Sequence, residues 1–504
     1  MLNFPLLDTD SFDFDTIGST SISTPAYSPV PSRTEITLDA KHLDPHGPTW
    51  VYRTKHMTVD LGKRLWGTSS PAYGLHDKIE GSIKLTGHHA ELVEDISVTL
   101  EGHLSTIVLA DGGVARSNTL FMHHAVSLPL SSHPTEGDEY PFVIPIPSEI
   151  TLQGVTALTP PSFYRLHLGV TGEITYSLKV LMTRQATRMT FKHEPTESQI
   201  IPILYFPKTR PSDPPLADIP KPLSDRDPHF ESPNVNIAEH VDTFPLSPRW
   251  SSASSHSKQP LTGLENFQNS VFFSIPAPQS FASGEPIPFF LSLVFPNSPA
   301  QASLYAKTIT VTLMKQLTVR SAKSHLRKLF SRSKVSPSRF SSPKNSRTST
   351  PLHSRSASPV PFEDDSDDAG SHSDASSSSS ELDAYGPPVV RRWKLTSGHL
   401  ETRSEYSEGV YLLRGWISAG ELGRGCSWQV GQIGRLQYFL VVEIASPASM
   451  EDHIPAFHLE KEIEITTDCW ETMNRELQST GGIPTPALGL ERGLLEKESE
   501  YEIM

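Results

Sequence analysis

The sequence predicts an all-β protein made of two antiparallel β-sandwiches, with long segments that belong to neither. Three observations predict it. Apolar and polar residues alternate over many short runs, and Ile174, Tyr176, Leu178, Val180 and Met182 mark one of the clearest. Period-2 spacing of this kind turns one face of a strand into a core. Turn residues punctuate the runs, and no long stretch carries the 3.6-residue period of a helix. Blocks rich in Pro, Ser and Asp interrupt the pattern, and such composition cannot bury a core.

The bulk properties set the frame. A chain of 504 residues has room for two or three domains, but hydrophobic residues make up only 36% and prolines number 44, so much of the length is linker or loop. A net charge of −14 argues against nucleic-acid binding, which needs a basic surface to neutralise phosphates. The two cysteines, Cys426 and Cys469, exclude a disulfide framework, suit a reducing compartment and read as small buried hydrophobes. The start, Met1-Leu2-Asn3-Phe4-Pro5-Leu6-Leu7-Asp8, has no basic stretch and turns acidic, which predicts no secretory signal peptide. No window approaches the roughly 18–20 apolar residues of a membrane span. The expectation is a soluble, cytoplasmic chain.

Taken in order, residues 1–54 read as a disordered leader with one short strand at Glu35–Leu38. A first sandwich is predicted over 55–205. Its strands fall at Lys55–Leu61, Asp77–Thr86, Asp95–Val108, Asn118–Leu128, Tyr140–Ile146, Glu173–Thr183 and Met189–Ile203, with turns such as Asp111-Gly112-Gly113 and Glu136-Gly137-Asp138 between them. Residues 206–265 read as an extended linker. A second sandwich is predicted over 266–470, with strands at Phe289–Phe295, Thr308–Leu313, Val389–Thr396, Val410–Ile417, Leu436–Ile444 and Ile463–Thr467. It is broken by an insert, 321–388. The first half of the insert carries only basic charges, from Lys323 to Arg355, and the second carries Glu363, Asp364, Asp365, Asp367, Asp368 and Asp374. Residues 471–504 form an acidic tail with one short helix near Glu471–Gln478.

The stretch Glu139–Arg184 narrows the fold further. Glu139-Tyr140-Pro141-Phe142-Val143-Ile144-Pro145 leads through Thr159-Pro160-Pro161-Ser162-Phe163-Tyr164 to Gly172-Glu173-Ile174-Thr175-Tyr176. This order resembles the central motif of the arrestin N-terminal domain. Gly284-Glu285-Pro286-Ile287, a hydrophobic strand, Asn297-Ser298 and the closing His458–Ile465 more weakly resemble the arrestin C-terminal domain. The long Ser/Pro insert and leader are similar to those of fungal α-arrestin-like proteins. The resemblance implies the arrestin fold, two immunoglobulin-like sandwiches in tandem. It also implies a non-catalytic adaptor that binds cytoplasmic parts of membrane proteins for trafficking, endocytosis or recruitment of a HECT-type ubiquitin ligase. Three features depart from the family pattern, the first being that the charged interdomain core of visual arrestins matches no residues of this sequence. The family's Pro-Gly-Asp turn is replaced by Gly74-Leu75-His76-Asp77. Its Pro-Pro-x-Tyr peptide survives only as Thr24-Pro25-Ala26-Tyr27 and Ser70-Pro71-Ala72-Tyr73, so Pro25, Tyr27, Pro71 and Tyr73 are weak candidates for a WW domain.

The insert holds the other candidate sites. Leu326, Leu329 and Phe330 recur at i, i+3 and i+4 among Lys323, Arg327 and Lys328, a short basic amphipathic turn suited to an anionic membrane surface. A solvated loop is the equal alternative. Ser336, Ser342, Thr350 and Ser358 each precede a proline, and each phosphate adds about −1.5 to −2 charges, enough in sum to release such a turn. Arg355-Ser356-Ala357-Ser358 also partly resembles a 14-3-3 ligand.

Catalytic signatures are absent from the sequence. There is no Gly-x-Ser-x-Gly, no phosphate loop and no His-Glu-x-x-His. The glycines between Gly420 and Gly434 read as hairpin turns. His88-His89 and His123-His124 are adjacent on strands and point to opposite faces, so neither pair chelates. The expectation is no enzyme, no metal and no cofactor. Two alternatives stand beside the adaptor: a retromer-like cargo-retrieval scaffold, and an enzyme whose site the sequence does not reveal.

Overall fold

The computed structural model describes residues 47–87, 90–110, 113–167, 169–185, 196–214, 241–250, 267–321, 385–447, 450, 453–470 and 485–491. Over these residues the chain is nearly all β, and its strands pair antiparallel except at two short parallel ladders. The first twelve strands are β1 (Thr49–Arg53), β2 (Met57–Lys63), β3 (Ala72–Tyr73), β4 (Lys78–Leu85), β5 (Val93–Ala110) and β6 (Gly113–Ser127), followed by β7 (Glu139–Pro145), β8 (Glu149–Leu152), β9 (Val155–Leu158), β10 (Phe163–His167), β11 (Val170–Arg184) and β12 (Thr196–Tyr205). They make a four-stranded sheet, β1-β2-β4-β7, and a larger sheet in the order β3-β12-β11-β5-β6, to which β10 adds on β11. Met57, Val59, Ile79, Ile83 and Ile144 from the small sheet pack on Ile96, Val98, Leu178 and Val180 from the large one. Two sheets with one apolar face each bury both faces at once by packing face to face.

The second set comprises β13 (Val241–Pro245), β14 (Ser247–Arg249), β15 (Val271–Pro276), β16 (Ser280–Ala282), β17 (Pro286–Val294) and β18 (Ile309–Val319). It continues through β19 (Val389–Ser397), β20 (His399–Ser407), β21 (Val410–Ser418), β22 (Trp428–Val430), β23 (Gly434–Ile444) and β24 (Ala456–Thr466). A five-stranded sheet, β13-β15-β17-β21-β20, faces a sheet ordered β14-β24-β23-β18-β19, with β16 and β22 attached to β24 and β23. Helix α1 (Pro299–Tyr305) opens on a proline, whose fixed φ suits a first helical position. It closes one end of this sandwich: Tyr305 stacks on Phe295 at 5.3 Å between ring centroids and meets Phe457 of β24 edge-on at 5.2 Å.

Several elements differ from the sequence reading, each for a local reason. Ordered structure starts before Lys55, because β1 pairs with β2 and brings Trp50 into the core. The stretch read as an extended linker contains β13 and β14, which pair with β15 and β24 and bury Val241 and Leu246. Two apolar residues in a Pro- and Ser-rich context give too weak a period to detect. In the stretch read as an acidic tail, Ala487 and Leu490 pack with Ala72, Phe206 and Cys426. The leader strand, the helix near Glu471–Gln478, His88 and His89 lie outside the described residues.

The proline corner is tied down by both backbone and side-chain hydrogen bonds. Strand β11 is long enough to pair with β5 along its whole length, while its other edge is shared between β10 and β12. The corner fills the junction between those two strands. Ser162 donates its backbone N–H to the Tyr205 carbonyl at 2.8 Å, and its Oγ accepts the Tyr205 N–H at 2.9 Å. Thr159 Oγ1 donates to the Pro147 carbonyl at 2.6 Å, and the Tyr176 hydroxyl donates to the Pro160 carbonyl at 2.5 Å. Prolines cannot donate, so side chains supply the bonds that a regular ladder would. Tyr176 in turn is held edge-on to Phe121 and Tyr205, at 5.7 and 5.5 Å. Phe121 is the extra residue of a bulge opposite Gly102, where a Cβ would come within 2.8 Å of its ring.

Tyr176→Phe keeps the packing and removes only the hydroxyl bond to Pro160. We expect a loss of about 1–2 kcal/mol in unfolding free energy with an unchanged β-sheet circular dichroism spectrum. An unchanged melting temperature in thermal denaturation would show that the corner does not need this bond.

Candidate functional site

The two sandwiches fall within one compact unit, and their joint is the most chemically varied place among the described residues. Its floor is the face of the β19-β18-β23 sheet. Cross-strand register places Trp393 opposite Lys315, and Lys315 opposite Tyr438. The three side chains thus form one row across three strands, on one face. Two residues along, Arg391, Leu317, Leu436 and Trp428 form the next row. Lys315 is placed with its ammonium 5.7 Å from the Trp393 ring and 5.6 Å from that of Tyr438, close enough for cation–π attraction.

The roof comes from the first sandwich, through the proline corner. Strand β10 begins at Phe163, whose ring meets Trp428 edge-on at 5.0 Å. Arg165, two residues on and on the same face, lies over the opposite sheet's Trp393 at 5.4 Å. Leu104 reaches Gly434, and Leu317 reaches Gly172, so apolar contacts continue on both sides. Hydrogen bonds to threonine hydroxyls close one end. The N–H of Thr209, just past β12, donates to Thr467 Oγ1 at 2.8 Å, and the Thr467 N–H donates to Thr209 Oγ1 at 3.1 Å. The 485–491 segment adds a staple: Lys208 Nζ donates to Thr485 Oγ1 at 2.7 Å, and the Ala487 N–H to the Phe206 carbonyl at 2.8 Å.

Two pockets, of about 420 and 390 Å³, open at this joint, and both are bordered by Pro161, Cys426, Trp428 and Leu436. The larger carries Arg435 with Glu462 and Glu464. The smaller carries Arg165, Lys315, Lys394 and Arg424 with Glu421, and Glu421 pairs with Arg424. Burial pushes the Cys426 thiol up to about 12, with Lys315 opposing and Glu464 and Asp468 adding to the rise. The thiol is therefore neutral at physiological pH and no nucleophile. Burial likewise raises the Tyr438 hydroxyl well above the ordinary tyrosine range. The arrangement offers cations, aromatic faces and fixed donors, which is equipment for binding.

Lys323, Leu326, Arg327, Lys328, Leu329, Phe330, Ser336, Ser342, Thr350 and Ser358 fall outside the described residues, as do Pro25 and Tyr27. Pro71 and Tyr73 are described, and the sheet has taken them up. β3 pairs in parallel with the end of β12, with Tyr73 opposite Tyr205, and the Leu204 N–H donates to the Pro71 carbonyl at 2.8 Å. A WW groove could take this peptide only if it left the sheet. His123 and His124 lie on β6, and no group of three or more His, Cys, Asp or Glu among the described residues is placed to hold a metal. No described helix is long and apolar enough to cross a membrane.

Arg165 and Trp393 carried no signal in the sequence, because their meeting with Lys315 depends on register between strands far apart in the chain. A lysine at 315, interrupting the apolar side of Val311-x-Leu313-x-Lys315-x-Leu317-x-Val319, was the one visible anomaly. Compared with known proteins, the chain matches no family model and no curated sequence.

Treated with iodoacetamide in the native state at neutral pH, Cys426 is expected to stay unmodified and to react only after denaturation. Peptide mass spectrometry reads this directly; rapid native alkylation would contradict a buried, neutral thiol.

Proposed function

We propose that the protein is an arrestin-type adaptor that binds cytoplasmic parts of membrane proteins and catalyses nothing. One observation carries the reading. Thr159–Phe163, part of the longer stretch whose order resembles the arrestin N-terminal domain, is also the corner that packs one antiparallel sandwich on the other. The shape supplies surfaces for extended peptides. β6 pairs with β5 alone among the described strands, and it exposes Val114 and Leu120 along 15 residues of sheet edge. Added strands gain affinity from main-chain bonds at such an edge.

The insert supplies regulation in this reading. Its basic half touches an anionic membrane, and phosphates at Ser336, Ser342, Thr350 or Ser358 weaken that contact or recruit a 14-3-3 protein. A HECT-type ligase joins through Tyr27, since Tyr73 is held in the sheet. Val319 and Val389 are register partners, and the Gly386 N–H donates to the Ser321 carbonyl at 2.8 Å. The ends of the insert are therefore neighbours, and a short Gly/Ser turn can replace 322–384 without moving either strand.

Proximity labelling in the native host should compare the full chain with this replacement. Recovery of plasma-membrane transporters and a HECT ligase, with a changed set for the replacement, is the expected result. Recovery of a fixed endosomal coat, indifferent to the replacement, would overturn the adaptor reading in favour of a retromer-like scaffold.

A further inference from the structure

Among the described sheets, β6 is the long outer strand without the usual guards. It ends the larger sheet of the first sandwich and pairs with β5 alone. Its 15 residues include no proline, no lysine and no carboxylate. The other outer strands are short or blunted. β1, β3, β13 and β14 have five residues or fewer, and β7 contains two prolines. β19 and β20 carry three charged residues each. An open row of backbone N–H and C=O groups is a template for another strand, and length without guards leaves it usable.

The edge is also self-complementary. Its ladder with β5 is regular from Gly113 to Leu120 and breaks at the Phe121 bulge, and Ser117 stands midway between Gly113 and Phe121. A twofold axis through Ser117 sets two copies antiparallel, with Val114 opposite the second copy's Leu120 and Arg116 opposite its Asn118. All four side chains are exposed and share the outward face. Val114 and Leu120 are 46% and 44% exposed, and Leu109, the register partner of Val114 on β5, is 54% exposed. In the pair, Leu109, Val114 and the second copy's Leu120 make one apolar row, repeated by the symmetry. Asn118 Oδ1 accepts one bond from Ser105 Oγ at 3.2 Å, and its second lone pair suits the facing guanidinium. The two Arg116 side chains fall on a diagonal, roughly 7–8 Å apart, and so do not meet directly.

We propose that two copies of the chain pair through β6, antiparallel and in this register, and so continue one sheet across both molecules. The contact is isologous, so the assembly closes at two. A ladder this short covers less than the roughly 1,200–2,000 Å² of a standard interface even with Leu109 added. The dimer is therefore weak and concentration-dependent, with a dissociation constant in the micromolar range. The inference does not depend on the adaptor reading. It gives the edge named there a second occupant, with which an added peptide competes.

Sedimentation velocity of the full chain over a concentration series should show a monomer–dimer equilibrium. Val114→Lys and Leu120→Glu should each raise the dissociation constant roughly tenfold or more, because the symmetry puts each change into the ladder twice. Combined in one chain, the two changes face each other across the axis and should restore association, which a folding defect could not do. Ser117→Cys gives a second reading. Opposed residues of an antiparallel pair lie within disulfide reach, so mild oxidation should cross-link this variant beyond the wild-type background. Ala125→Cys, exposed on the same strand past the bulge, should not cross-link. A monomer at every concentration would overturn the proposal, including one whose β6 edge is covered by another segment of its own chain. So would a dimer indifferent to both single variants, or one that cross-links equally at both cysteine positions.

Discussion

The contact between Phe163 and Trp428 is the constraint on which the described architecture depends. Each ring belongs to a different sandwich, and each is positioned by its own sheet: Phe163 by pairing with Ile174 of β11, Trp428 by pairing with Leu436 of β23. An edge-on aromatic pair adds about 0.5–1.5 kcal/mol beyond the area it buries. Its larger effect is geometric. With Phe163 fixed, β10 can only run so that Arg165 arrives over Trp393, and the two pockets open on either side of the pair. The prolines before Phe163 make that delivery reliable, because they limit the backbone while Tyr176, Ser162 and Thr159 supply the hydrogen bonds.

Fold and site were unequally legible in the sequence. Strands with one buried face, such as β5 and β11, announce themselves by alternation, and the match there is close: Glu173–Thr183 was expected where Val170–Arg184 forms. Short elements held by tertiary contact did not. The β8–β9 hairpin has four residues on each side, and β14 has three; neither is long enough to show a period. The smaller pocket was least legible of all. Its cations come from β10, β18, β19 and the loop after β21, and only the register of sheets brings them together. The insert drew attention because its charges are contiguous, whereas the joint assembles its charges from four separate places.

The two places are nonetheless connected through the chain. β18 and β19, which carry Lys315 and Trp393, are the strands that lead into and out of the insert. The 485–491 segment returns to the same joint, with Leu490 against Cys426 and on the wall of the smaller pocket.

The central claim is that the corner and Trp428 lock the two sandwiches into one body, and hydrogen exchange tests it most directly. Comparing wild type with Trp428→Ala by mass spectrometry asks whether a change made in one sandwich is felt in the other. The account predicts faster exchange in peptides covering Thr159–His167, across the joint, with the β1-β2-β4-β7 sheet unchanged. Faster exchange confined to β22, β23 and their neighbours would contradict it, and would mean that the sandwiches fold side by side without depending on each other.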